Sequence, residues 1–265
     1  MKTMLFAAIL AVVTTTAESR TWRVNTAGTG DAPTLYAAMD SAVAGDVVLA
    51  AAGQYPMETR LFVPSGVKLE GESGPAYTLL YDVSAPFPGP TTVELGAGAW
   101  LSRVRVKGRT NSVLNSHGAV VDYCIVESEN NGNVAEGGEG ATDFNNCLFV
   151  GGEFFIVAAL FNKCIILSDL GAGAIGSTLF SCDVLGYVDP AIDASATNVN
   201  FSLDPQFCGI PGSGNYFLQS TSPCLGANNP FGPIPDDIGP LGVGCGTVRV
   251  EERTWGGIKA LYRSR

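Results

Sequence analysis

The sequence predicts an all-β solenoid, a parallel β-helix with a short N-terminal capping helix. Three observations carry that expectation. First, cysteine returns in one setting: "VDYCIVES", "FNNCLFVGG", "FNKCIILSD" and "LFSCDVLG" place Cys124, Cys147, Cys164 and Cys182 at steps of 23, 17 and 18 residues. Second, short apolar runs such as "TTVEL" and "WLSRVRVKG" precede these at similar intervals, broken by Gly, Asn or Ser. Self-similarity at such a period marks stacked structural turns, and the Leu and Asn spacing of a leucine-rich repeat is absent. Third, 33 glycines and 15 prolines in 265 residues supply frequent turns, while 46% hydrophobic content supplies one core.

The N-terminus reads as a processing segment. Lys2 precedes the apolar run Met4 to Val13, and Thr15-Thr16-Ala17 offers small residues at the cleavage positions. The run is too short for a membrane span and suits an export signal over residues 1–17. No other segment is long and apolar enough to cross a bilayer. Export to the cell surface or beyond permits disulfides. With seven cysteines, at least one thiol stays unpaired in the monomer.

The first element after the signal is a helix. Leu35, Ala38, Met39 and Ala42 follow the i, i+3, i+4, i+7 rule. Asp31 or Thr34 can cap it, Pro33 suits its first turn, and Gly45-Asp46 ends it. It is placed to close the first turn of the solenoid, whose stacked core needs capping at its open ends. "VVLAAAGQY" then reads as a buried strand, and "RLFVP" and "VKLEGE" as further short strands. Beyond Val188 the pattern breaks into Pro-, Gly- and Asn-rich sequence, expected to form loops and final strands that close the other end. The tail from residue 247 turns basic, with five Lys or Arg in the last seventeen residues, and is expected to lie outside the solenoid.

"GTGDAPTLYAAMDSAVAGDVVLAAAGQYPMETRLFVPSGVKLEGES" resembles the N-terminal turn of the right-handed parallel β-helix, or pectin-lyase-like, superfamily. "DPQF", "GNYFLQSTSPCLGANN" and "DIGPLGVGC" are similar to the end of many secreted bacterial β-helix proteins. The resemblance spans about residues 22–246, so that residues 18–246 are expected to form one β-helix domain. "TWGGIKALYR" is similar to short C-terminal sorting or anchoring tails. The resemblance implies the fold. It does not imply one activity, because the superfamily holds lyases, esterases, hydrolases, adhesins and proteins without known chemistry.

The stacked cysteines invite a metal or redox reading, and geometry argues against both. Ligands one turn apart point the same way and form a line, whereas zinc needs four that converge. Neighbours on adjacent parallel strands sit about 4.8 Å apart, wider than the ~3.8 Å between Cβ atoms of a disulfide. They are expected to be small buried hydrophobes. Asn145 and Asn162, two places before their cysteines, are expected to occupy left-handed bends. Cys208, Cys224 and Cys245 lie in the irregular region, where Cys208 with Cys224 is the favoured disulfide and Cys224 with Cys245 the alternative.

"SRVRVKGR" places Arg103, Arg105, Lys107 and Arg109 at alternate positions, on one side of a strand. Such a row can bind a polyanion, with Arg forks matching carboxylates, or can be a solvated face balanced by acids. Formal net charge is -10, which argues against nucleic acid as a general partner. Lys163 is the sole Lys or Arg between Thr110 and Val248, against fourteen Asp and Glu. An acidic-polysaccharide lyase would need acids to hold Ca²⁺ and a base beside the uronate. Asp122, Asp143 and Asp169 are available, yet the lyase, esterase and polygalacturonase signatures of the superfamily are missing. His117, the one histidine, sits in a turn-like "NSHGAV", so no Ser-His-Asp or Cys-His arrangement can be argued. The expectation is therefore a secreted or cell-surface β-helix that binds glycans or other cell-envelope components, with no catalytic residue, metal or cofactor assigned. The alternative is a carbohydrate-active enzyme of the lyase type, in which Ca²⁺ would enter.

Overall fold

The computed structural model describes residues 18–83, 91–109, 112–129, 132–137, 140–156, 158–169, 176–185, 199–209 and 213–245. The expected signal segment and the basic tail from residue 247 lie outside the described residues. Strands are numbered in chain order. Face A stacks β1 (Thr21–Val24), β2 (Val47–Ala50), β5 (Lys68–Gly71), β8 (Trp100–Ser102), β11 (Val120–Asp122), β14 (Asp143–Asn145), β16 (Leu160–Asn162) and β18 (Thr178–Phe180), all in parallel. Face B stacks β3 (Gly53–Met57), β6 (Thr78–Asp82), β9 (Arg105–Gly108), β12 (Ile125–Ser128), the first part of β15 (Leu148–Ile156), β17 (Ile165–Asp169) and β19 (Asp183–Val184). Face C stacks β4 (Leu61–Val63), β7 (Val93–Leu95), β10 (Ser112–Ser116), β13 (Asn133–Gly137) and the second part of β15. The fold is a parallel β-helix, as expected.

The register explains the period. Val48, Leu69, Leu101, Val121, Phe144, Phe161 and Leu179 align down face A, and all are fully buried. Each turn of chain thus delivers one apolar residue to the same column. Four phenylalanines widen the core in the later turns, with the Phe144 and Phe161 rings stacked at 5.0 Å and Phe149 and Phe154 edge-on at 4.8 Å. β15 passes from face B to face C without a loop because Gly151 and Gly152 both adopt positive φ, 71° and 69°. A Cβ on Gly152 would stand 2.0 Å from the Gly132 carbonyl oxygen, so no other residue fits there.

The corner from face A to face B is a single left-handed residue in five successive turns: Arg103, Tyr123, Asn146, Lys163 and Ser181, with φ between 50° and 58°. The bend therefore falls one residue after Asn145 and Asn162. Those two asparagines close the face A strands and form a side-chain ladder. Asn145 Nδ2 donates to Asp122 Oδ1 at 2.8 Å, and Asn162 Nδ2 to Asn145 Oδ1 at 3.3 Å. Arg103 is likewise a corner residue outside β9, so the four bases do not form one strand row.

The residue after each corner points inward: Val104, then Cys124, Cys147, Cys164 and Cys182, all fully buried. Each thiol lies within donor distance of a face A carbonyl one turn earlier, Leu101, Val121, Phe144 and Phe161 respectively, at 3.3–3.6 Å. Cysteine recurs because the site takes a small apolar side chain with a weak donor. None of the four is in a disulfide.

Helix α1 (Leu35–Ser41) packs on β1, β2 and β4 at the N-terminal end. Thr34 caps it, accepting from Ala37 N; Asp31 instead accepts from Arg23 N and closes the outer edge of β1. At the far end, Asn200 pairs like a strand residue, its Oδ1 accepting from Cys182 N and its Nδ2 donating to Leu179 O.

Beyond Phe201 the structure departs from expectation. The segment does not simply close the end of the stack. It returns along the outside of face B. There Tyr216, Leu218, Cys224, Leu225 and Ile238 form a second apolar cluster with Ile125, Leu148 and Ile165. Those three are outward neighbours in register with Arg105. Burying each contributes about 1.5–3 kcal/mol. This cover segment holds the disulfide, Cys208 to Cys245. The expected Cys208–Cys224 pair is not formed. Cys224 points into the second cluster, its thiol 3.1 Å from Asp183 Oδ2, while Cys208 and Cys245 end the two lengths of chain that flank Leu218.

Candidate binding cleft

The left-handed corners border a cleft. On one side stands the turn Ser73–Tyr77, on the other the cover segment with Phe217, Pro240 and Leu241, and Arg103 and Tyr123 line it from the corner column. The cavity measures about 560 Å³. A second cavity of about 350 Å³ adjoins it, sharing Tyr123 and Pro240 and lined further by Asn146, Asp236 and Asp237. The two follow the solenoid axis, because the corner residues are stacked one per turn.

The lining is aromatic and half exposed. Tyr77 is 60% and Tyr123 45% accessible. The corner column behind this surface is strained: Arg103, Tyr123 and Lys163 hold a conformation that costs about 1–2 kcal/mol per non-glycine residue. Only Asn146 is a type that tolerates it well, and Asn146 is turned toward the cover segment, donating to the Asp237 carbonyl at 2.8 Å.

The structure divides the basic row. Arg105 is mostly buried and grips Glu127 through Nε and Nη2, each at 2.5 Å; Tyr216 from the cover segment donates to the other Glu127 oxygen. Lys107 and Arg109 both pair with Glu129. The hydrogen bond to Glu129 lifts the Arg109 pKa. Burial pushes the Glu129 carboxyl up, but hydrogen bonds from Lys107 and Arg109 and their charges together draw it below its ordinary value. Arg103 stands 3.7 Å from Glu70, the longest of these ion pairs, and it alone of the four lines the cleft. All four members of the row thus meet acids of neighbouring turns, and Arg103 alone also reaches the cavity.

The acids considered for catalysis are also placed. Asp122 accepts from Trp100 Nε1 at 2.7 Å and from Asn145 on face A. Asp143 begins β14 on the same face, and Asp169 ends β17 on face B. Lys163 Nζ is 2.6 Å from Asp236. His117 is half-buried in the turn before β11. Among the described residues no group of three or more His, Cys, Asp or Glu is arranged to hold a metal ion. On face C a flat row runs Phe62, Glu94, Asn115, Glu136 and Phe155, in which Arg60 pairs with Glu94 and Asn115 donates to Glu136.

Sequence reasoning reached Arg103 but missed Tyr77, Tyr123, Phe217 and Pro240, which no motif links. One signal pointed to the cover segment. "CIVES", "CLFVG" and "CIILS" carry consecutive apolar residues where a strand with one wet face would alternate.

No protein-family model and no curated protein matches the chain. Among solved structures the chain is similar to pectin methylesterase PemA from Erwinia chrysanthemi, at 16% identity over 68% of this chain and 67% of that chain, with a TM-score of 0.48.

Proposed function

We propose that this is a secreted or cell-surface β-helix protein that binds a glycan in the corner cleft without acting on it chemically. One observation carries the reading: two half-exposed tyrosines and Arg103 line an elongated cavity on a rigid stack of turns. Aromatic faces present apolar area with little entropy to lose. The Arg fork gives directed hydrogen bonds to hydroxyl or carboxylate oxygens. The stacked backbone holds both in place before any ligand arrives, which lowers the cost of binding. A disulfide and a leading segment of export-signal type favour an extracellular setting. Among the described residues no helix is long and apolar enough to cross a membrane.

A glycan array with the wild-type protein is the test, followed by titration of the best ligand against Tyr123→Ala and Arg103→Ala. Each substitution is expected to weaken binding about tenfold or more, in line with about 1.4 kcal/mol per decade. Retention unchanged in both variants would discard the cleft. Release of unsaturated sugars from a uronate polymer in the presence of Ca²⁺ would establish the lyase reading instead.

A further inference from the structure

The cleft has one wall from the solenoid and one from the cover segment, and the second wall has little structure of its own. In its described residues the cover segment has one three-residue 3-10 turn, Gly226–Asn228, and isolated bridges instead of a ladder. Two of these bridges share Leu218, antiparallel to Phe207 and parallel to Val243. Leu218 N donates to Gly242 O, Gly244 N donates to Leu218 O, and Cys208 N donates to Phe217 O. Cys208 and Cys245 end the two flanking lengths of chain, and the disulfide closes them around Leu218.

Alternation then sends neighbouring side chains opposite ways. Tyr216 and Leu218 are buried on face B, while Phe217 lines the cleft. Gly244, next to Cys245, lies flat against the Phe217 ring, where an added Cβ would stand 2.2 Å from a ring carbon. Pro240, Leu241, Asp236 and Asp237 fall within the loop that the disulfide closes. Both half-cystines are only part-buried, and Val243 beside them is 56% exposed, so a small thiol can reach the bond.

We infer that the Cys208–Cys245 disulfide is a redox latch on the cleft: oxidised, it holds Phe217 and the Pro235–Gly242 wall in place, and reduced, it loosens that wall on an intact solenoid, leaving it tethered by Asn146, Lys163 and the burial of Ile238. In the reductive step the S–S bond takes two electrons and two protons from an external dithiol. The dithiol leaves as its own disulfide, and the protein keeps two thiols. The Cys124, Cys147, Cys164 and Cys182 thiols take no part, being fully buried. That the latch governs ligand binding rests on the glycan reading of the cleft; that it governs the wall does not.

Hydrogen exchange on the folded protein, before and after dithiothreitol, separates the two. The amides of Leu218, Ile238 and Gly244 are expected to exchange on the order of a hundredfold faster after reduction, as loss of a cross-link closing a loop of this length allows. The amides of Val120 and Leu148, in the stacked turns, are expected to stay unchanged. The Cys208→Ser/Cys245→Ser double variant should match the reduced protein. Unchanged exchange of the cover amides in both, or equal acceleration of the stacked turns, overturns the latch. Faster cover exchange in a protein that binds no glycan when oxidised leaves the latch standing and removes the glycan reading.

Discussion

Asn146 Nδ2 donates to the Asp237 carbonyl oxygen at 2.8 Å, joining residues 91 positions apart in the chain. One side chain thereby does two things. It occupies a left-handed corner of the solenoid, and it pins the cover segment to that corner. Asn146→Gly keeps the corner free of strain and loses the bond, a cost of about 1 kcal/mol. Asn146→Ala loses the bond and adds the left-handed penalty, for about 2–3 kcal/mol. Urea unfolding of the two variants should give that order; equal midpoints would mean that the corner is not strained.

Tyr123 occupies the equivalent corner one turn earlier, with φ 52° and its ring in the cleft. Asparagine tolerates that conformation better. Tyr123→Asn is therefore expected to leave the unfolding midpoint unchanged or raise it by up to about 1 kcal/mol equivalent, while glycan retention falls. Loss of stability together with loss of retention would make Tyr123 a packing residue.

The basic row should respond unevenly. Arg105 and Glu127 are 14% and 5% exposed and share the contact with Tyr216. Arg105→Ala leaves a buried carboxylate without its ion-pair partner and should cost about 3–5 kcal/mol. Arg109 is 65% exposed, and Arg109→Ala should leave the unfolding midpoint nearly unchanged, because solvent screens an exposed pair. Similar losses for both would contradict the burial of the first pair.

Acid should act on two carboxyls in opposite directions. Burial raises the Asp183 pKa to about 6, against a lowering effect from the Leu203 amide and the Cys224 thiol. A raised folded pKa gives stability that is complete below the unfolded value near 3.8 and is lost as pH rises through about 6. Asp46 is the reverse case. Hydrogen bonds from the Arg20 and Val43 amides and from Trp22 hold its pKa below 3.8, so its contribution is present above that value and lost as pH falls through the lower one. Stability should therefore rise as pH drops from about 7 to 5. Asp183→Asn should abolish that rise; a slope that persists in the variant would assign it to another group.

Thiol titration of the denatured, unreduced protein should count five free cysteines, against seven after reduction. Three before reduction would mean a second bridge.

The sequence by itself determined the stack. Its apolar column, the recurring cysteine and the capping helix each follow from local spacing, because a parallel solenoid repeats one side-chain position per turn. Residue type at a corner was harder to read, since Asn145 and Asn146 differ by one place and a single step moves a side chain from strand edge to bend. Only the tertiary structure decided where the irregular C-terminal third goes, which cysteines pair and which base reaches the cleft. Those outcomes depend on contacts between segments far apart in the chain, such as Glu127 with Tyr216, 89 positions away, and Ile125 with the second cluster. Such contacts are set by shape and burial at the surface of face B, and the unbroken apolar runs in its strands were their one trace in the chain.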